Sequence, residues 1–255
     1  MKPDDFYIGY QERAPKAVAS YIKRAIFLLV VTSLLVAGLL VIGQQAFYPS
    51  TFEFLNYRTF EGTLSEVPYP TLLVDRPGQT DGQPAHSRYY LVNVGKAGVQ
   101  EPVSGLHGRR VRLQGSLIYR DDQTMIEVVP GTIEPLGGAD DLRPMGAPQS
   151  LGQHTFQGEI VDSKCFLGVM NPGSTKPHRA CATLCIRGGI PPVLLVRDAT
   201  DAATYLLLAS AEGHPVNQDV LGMVAEPVEI TGEVLQYDNL RVLRADPATY
   251  HRLSP

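Results

Sequence analysis

The sequence predicts a mainly β protein: an N-terminal single transmembrane helix followed by two tandem small β-barrels. Three observations carry this reading: an uncharged apolar run near the N-terminus, a glycine-punctuated series of strand-like runs that repeats itself, and a cysteine-bearing insertion in the second repeat. Among 255 residues there are 24 Gly and 20 Pro, which favours many short strands and turns over a helical bundle. A net charge of −4, with no long lysine or arginine run, excludes a nucleic-acid backbone as the expected partner.

The apolar run is Ala25 to Gly43, nineteen residues without a charge. As a helix it extends about 28 Å at roughly 1.5 Å per residue, the thickness of a bilayer core. Lys2, Arg13, Lys16, Lys23 and Arg24 outweigh Asp4, Asp5 and Glu12 before it, and the first charge after it is Glu53. The positive-inside rule therefore keeps residues 1–24 in the cytoplasm and sends the rest across. A cleaved signal peptide is the alternative, but its exit carries small residues, whereas Gln44-Gln45-Ala46-Phe47-Tyr48-Pro49 stands here. Tyr7, Tyr10 and Tyr21 on one side and Phe47 and Tyr48 on the other suit the interfacial belts of an uncleaved anchor. The tail's net +2 leaves −6 on the exported part, so that part is not expected to adhere to anionic lipid by charge.

Beyond the anchor the chain repeats itself in order. Thr59-Phe60-Glu61-Gly62-Thr63-Leu64 matches Thr155-Phe156-Gln157-Gly158-Glu159-Ile160, and Thr71-Leu72-Leu73-Val74 matches Val193-Leu194-Leu195-Val196. Tyr89-Tyr90-Leu91-Val92 matches Tyr205-Leu206-Leu207-Leu208. Val111-Arg112-Leu113-Gln114-Gly115 matches Val228-Glu229-Ile230-Thr231-Gly232, and each of these strands leads to a hairpin turn, Asp121-Asp122 or Asp238-Asn239. A glycine inside such a strand suits the sharp coiling of a small barrel. The pattern resembles the OB fold, a five-stranded Greek-key barrel, over about residues 58–135 and 153–245, with 136–152 as linker. OB barrels that bind nucleic acid use basic, aromatic faces, which an acidic chain without Trp does not offer.

The copies differ in one connection. Gly62 and Leu72 stand ten residues apart, Gly158 and Leu194 thirty-six, so the second copy carries about twenty-six extra residues, an insertion over 161–190. Cys165, Cys181 and Cys185, all of the cysteines, fall within it. Pro177 and Gly188 bracket a helix of about three turns, with Gly188 expected in the left-handed position after it and Arg187 near its negative end. On that helix His178, Cys181 and Cys185 share one face at i, i+3 and i+7. A Gly-Pro-rich loop lets Cys165 fold back onto them.

Three readings follow. Cys165, His178, Cys181 and Cys185 form a sulfur-rich metal set suited to copper(I), zinc or iron, with Asp162 as a hydrogen-bond partner that orients His178. Alternatively Cys165 forms a disulfide with Cys181 or Cys185 that staples the insertion and leaves one thiol over. Thirdly, the thiols do redox or nucleophilic chemistry, with Cys181 near a helix N-terminus beside His178. In the first reading the insertion is a graft on a barrel that closes without it. His154 and Met170 are further donors within reach along the chain, more simply read as a surface histidine and a packing methionine. The common nucleotide-binding and hydrolase signatures are missing.

Asp162, Cys165, His178, Cys181, Ala182, Cys185 and Gly188 match in order the motif D-x-x-C, then H-x-x-C-A-x-x-C-x-x-G, before a hydrophobic strand. Over about residues 156–196 the chain thereby resembles a group of bacterial envelope proteins. That resemblance implies a functional site on the insertion, and with the anchor and its charge asymmetry the expected location is the bacterial inner membrane, the barrels in the periplasm. The leading expectation is an accessory protein serving electron transfer or metal handling beside other subunits of a larger membrane complex. A structural or assembly subunit with a disulfide-stapled insertion is the runner-up, and an enzyme using a cysteine nucleophile comes third.

Overall fold

The structure is a computed structural model that describes residues 14–45, 50–75, 86–138, 142, 146–200 and 202–253. The chain divides into two units, Met1–Tyr48 and Pro49–Pro255. Most of the N-terminal tail, including Tyr7 and Tyr10, lies outside the described residues, as do Phe47 and Tyr48 and part of the expected linker.

In the first unit a single helix, α1 (Lys16–Gln45), is long and apolar enough to cross a membrane. It begins nine residues before the uncharged run, because Lys16-Ala17-Val18-Ala19-Ser20-Tyr21 contains no helix breaker after Pro15. Large apolar side chains such as Phe27, Leu35 and Leu40 are exposed all round it, as lipid-facing residues are.

In the second unit two five-stranded barrels close with the same topology. The first is built from β2 (Arg58–Ser65), β3 (Thr71–Asp75), β4 (His86–Val92), β5 (Arg110–Arg120) and β6 (Gln123–Val128). Its strands pair in the cycle β5-β2-β3-β4-β6 and back to β5, with β4 and β6 parallel. Short strands β1 (Thr51–Phe52) and β7 (Glu134–Pro135) add to β5. The second barrel uses β8 (Gln149–Asp162), β9 (Pro192–Arg197), β10 (Ala203–Ala209), β11 (Pro227–Tyr237) and β12 (Leu240–Arg244), with β13 (His251–Arg252) added to β11. Its cycle is β11-β8-β9-β10-β12 and back, again with one parallel pair, β10 and β12. The start of β8 falls inside the stretch read as linker, since Gln149 and Ser150 continue the ladder opposite Gln236 and Leu235 past a bulge.

Equivalent glycines keep equivalent positions. A Cβ at Gly62 would lie 2.4 Å from the Leu73 carbonyl oxygen, and one at Gly158 2.4 Å from that of Leu195. At Gly115 and Gly232 it would lie 2.3 Å from Ile126 Cγ2 and from the Arg244 carbonyl oxygen respectively. The reason for glycine is thus the close pass of the neighbouring strand as well as the barrel interior. The hairpin turns match too, with Asp121 at φ 53° and Asp238 at φ 52°.

Each barrel has its own interior: Leu64, Leu72, Leu91, Leu113 and Ile126 in the first, Ile160, Leu194, Leu206, Leu208 and Ile230 in the second. A third core lies between them. Tyr90, Val92, Ile118 and Met125 from the first barrel meet Val193, Leu195, Tyr205 and Leu207 from the second. β4, β9 and β10 are therefore buried on both faces over much of their length, and residues 89–92, 193–196 and 205–208 within them lack polar alternation for that reason. The contact is reciprocal. The first barrel's hairpin turn presents Asp121 to Tyr205 Oη (2.5 Å), and the second's presents Asp238 to Arg88 Nε (2.8 Å) and Asn239 to the Arg88 backbone N–H (2.7 Å).

The insertion belongs to these cores. Phe166, Leu167, Cys185 and Ile190 are buried between the barrels, and Ala182 and Ile186 enter the second barrel's interior. Arg120 of the first barrel stacks 4.2 Å from the Phe166 ring centroid. The expectation of a graft that can be cut away is corrected: removing it would expose the apolar faces it covers. Substitution Gly62→Val or Gly158→Val should lower stability by about 1–3 kcal/mol through overpacking, and thermal melts of the two variants should shift by several degrees; unchanged melting would contradict the close strand approach.

Candidate metal centre

β8 ends at Asp162, whose side chain is fully buried. A bonded pair of turns follows at once: Ser163 and Lys164 lead into a π-helical turn, Cys165–Val169, that packs against β1 and β5. The chain then runs through a Gly-Pro-rich loop to a 3-10 turn, Lys176–His178, and directly into the insertion helix. The short α2 (Gln100–Val103) lies between β4 and β5, and the insertion helix is α3 (Arg179–Arg187). α3 is nine residues long, shorter than the expected three turns because its first turn is the 3-10 segment. Gly188 caps it at φ −78°, so the left-handed residue is Gly189, at φ +99°, one position later than expected. What Gly188 supplies is space: a Cβ there would meet the Lys96 carbonyl oxygen at 1.9 Å.

The candidate ligands gather in two overlapping sets that share Cys165. Cys165 Sγ stands 4.0 Å from Cys181 Sγ and 3.9 Å from Cys185 Sγ. A ring nitrogen of His178 and the sulfurs of Cys165 and Cys181 all lie within 4.8 Å of one another, as do an Asp162 oxygen and the sulfurs of Cys165 and Cys185. All three cysteines are free thiols here. Cys165, Cys185 and His178 are buried, whereas Cys181 is only half-buried.

Asp162 binds both ends of the arrangement. Its Oδ1 accepts from the Cys165 backbone N–H (2.8 Å), which caps the π turn, and its Oδ2 lies 3.0 Å from His178 Nε2. With Nε2 donating to the carboxylate, Nδ1 of the neutral ring keeps its lone pair for a metal. His154 and Met170 do not join: His154 is exposed on β8 with Nε2 on the Leu151 carbonyl (3.0 Å), and Met170 is exposed at the end of the π turn.

The first barrel completes the site, a contribution that local sequence spacing does not reveal. The loop between β4 and α2 lies over α3, where Gly98 N–H donates to the Gly188 carbonyl (2.9 Å) and Gln100 Nε2 to that of Gly189 (2.8 Å). Lys96 on this loop brings Nζ to 3.3 Å from Cys181 Sγ. The loop is held from beneath by Lys164, a buried ammonium that donates to the carbonyls of Asn93 (2.8 Å) and Gly95 (2.7 Å) and pairs with Glu127 (2.5 Å). A buried lysine is stable only when satisfied in this way.

The sulfurs share protons unequally. Hydrogen bonding to Cys185, then burial and the nearby Asp162 charge, push the Cys165 thiol well above its ordinary range. The contact with Cys165 holds the Cys185 thiol's pKa down, and Lys96 adds to the effect. The hydrogen bond to Cys181 raises Lys96, which keeps its ammonium charged. The thiolate is the metal-binding and the nucleophilic form, and the pairing of Cys165 with Cys185 favours it at Cys185.

Asp162→Ala should strand a buried N–H and a buried imidazole donor, lowering stability by about 1–3 kcal/mol for each donor left unsatisfied. Urea denaturation of the variant checks this, and a loss under about 1 kcal/mol would show that the carboxylate is no structural tie.

The chain matches no protein-family model and no curated protein. Among solved structures, a deletion mutant of the single-stranded DNA binding protein from Thermus aquaticus is similar at 15% identity, covering 79% of this chain and 95% of that one, with a TM-score of 0.23.

Proposed function

We propose that the protein is a membrane-anchored accessory subunit of the bacterial inner membrane that holds one soft metal ion on Cys165, Cys181, Cys185 and His178. Its role is metal handling or electron transfer beside other subunits of a larger membrane complex, with the barrels in the periplasm. The observation that carries the reading is the sulfur spacing. Thiolates bound at about 2.3 Å around a tetrahedral ion stand about 3.8 Å apart, and Cys165 Sγ stands close to that spacing, 4.0 and 3.9 Å, from Cys181 and Cys185, which draw together to share one ion. The donor set, three thiols and an imidazole oriented by a buried carboxylate, suits zinc, copper(I) or iron. The envelope-protein motif over residues 156–196 supports the location, as does the excess of Lys and Arg before α1.

Elemental analysis of the full chain, purified anaerobically in detergent, should find one equivalent of such a metal. Replacing Cys165, Cys181 or Cys185 by Ser should weaken binding about tenfold or more. A metal-free protein that takes up none of zinc, copper(I) or iron(II) on reconstitution would overturn the reading. The second reading, a structural subunit without metal, draws on the burial of Phe166, Leu167 and Ile186 in the cores; metal-free protein with a single titratable thiol would favour it. For the orientation, alkaline phosphatase fused after Pro255 should be active in intact cells, and a cytoplasm-dependent reporter at the same place should be silent. The reverse pattern would place the barrels inside.

A further inference from the structure

Exposure and distance rank the three cysteines. Cys181 is half-buried at the surface of α3, while Cys165 and Cys185 are buried behind it. Cys165 is the common neighbour, 4.0 Å from Cys181 and 3.9 Å from Cys185. A bond to either needs the sulfurs to approach to about 2.05 Å, a closure of about 2 Å. Beside the Cys181 sulfur stands the Lys96 ammonium, 3.3 Å away. The outer sulfur is therefore open to a reagent that the inner two cannot meet directly.

We infer that the metal-free cluster is a thiol–disulfide exchange site in which Cys181 attacks an external disulfide and Cys165 resolves the product. The substrate class is a disulfide, either a small one or an exposed cystine on a partner protein. In the first step the Cys181 thiolate forms a bond to one sulfur of that disulfide and expels the other as a thiolate. In the second step Cys165 passes its proton to the Cys185 sulfur 3.9 Å away, attacks Cys181 Sγ and expels the second half of the reagent as a thiolate. Two protein thiols become one disulfide, one external disulfide becomes two thiols, and the two protons lost by the cysteines are taken up by the released thiolates or solvent. Cys185 stays reduced and faces the new bond from 3.9 Å, so it can attack Cys165 and pass the disulfide inward while freeing Cys181. Because the bond uses metal ligands, oxidation and metal binding exclude each other. The inference goes beyond the metal reading and does not rest on it, since it needs only the arrangement of sulfurs.

The test uses the full chain in detergent, stripped of metal and treated with glutathione disulfide. Free thiols should fall from three to one, the intact mass should drop by two, and peptide mapping should place Cys165 in the bond. In Cys165→Ser, a glutathione adduct on Cys181 should accumulate and persist at least tenfold longer than in the unaltered protein. In Cys185→Ser, the Cys165–Cys181 disulfide should still form, which guards against a Cys165→Ser protein that misfolds. First adducts on Cys165 or Cys185, a disulfide lacking Cys165, or no thiol loss at all would overturn the inference. Zinc uptake measured on the same preparation before oxidation reports on the metal reading separately.

Discussion

The site depends on one buried carboxylate. Asp162 ends β8 at full burial and reaches two elements that are distant in sequence, the Cys165 N–H that starts the π turn and the His178 ring that starts α3. A carboxylate taken out of water is tolerated only where hydrogen bonds replace its hydration, so it forces both partners to stay. Fixing Cys165 and His178 together fixes α3, and α3 carries Cys181 and Cys185 to the same place. The twelve residues between Cys165 and His178 in sequence can then follow an irregular path without disturbing the cluster.

The barrels fix the rest by meeting reciprocally. Each presents its long hairpin turn to the third strand of the other, Asp121 to Tyr205 and Asp238-Asn239 to Arg88, as the two halves of an isologous dimer would. The insertion breaks that symmetry. It occupies the seam with Phe166 and Leu167, which Arg120 covers, and it places the cysteines under the first barrel's loop at Lys96. The first barrel is thus a wall of the site rather than a spacer beside it.

Much of this was legible in the chain. The ordered repeats marked two copies of one fold, and the glycines at 115 and 232 marked sharply coiled strands, although the close pass of the neighbouring strand at 62, 115, 158 and 232 emerges only in three dimensions. The i, i+3, i+7 spacing of His178, Cys181 and Cys185 put them on one helix face, and Asp162 was close enough in sequence to Cys165 to be read as a partner. The role of Lys96 and Lys164 was hidden, because they reach the site through contacts that join residues some seventy to eighty-five positions apart. The third core was hidden differently. The runs Tyr89-Tyr90-Leu91-Val92 and Tyr205-Leu206-Leu207-Leu208 lack polar alternation, which is the mark of two-sided burial, but that pattern names no partner. The insertion's own apolar residues carried the same ambiguity, so a segment that completes two cores read as a detachable graft.

Charge explains why lysines gather at a cysteine cluster. Three thiolates and Asp162 would bring four negative charges into a mostly buried volume, more than a monovalent or divalent ion alone neutralises. Lys96 stands against the outer sulfur, while Lys164 is committed to Glu127 and to two carbonyls of the loop that carries Lys96. One lysine therefore supplies charge and the other supplies position. A neutral residue at 164 would leave Glu127 and two carbonyls without their shared donor, and the loop that carries Lys96 would lose its support from below. Through that loop, the packing between barrels and the electrostatics of the sulfurs become one property of the fold.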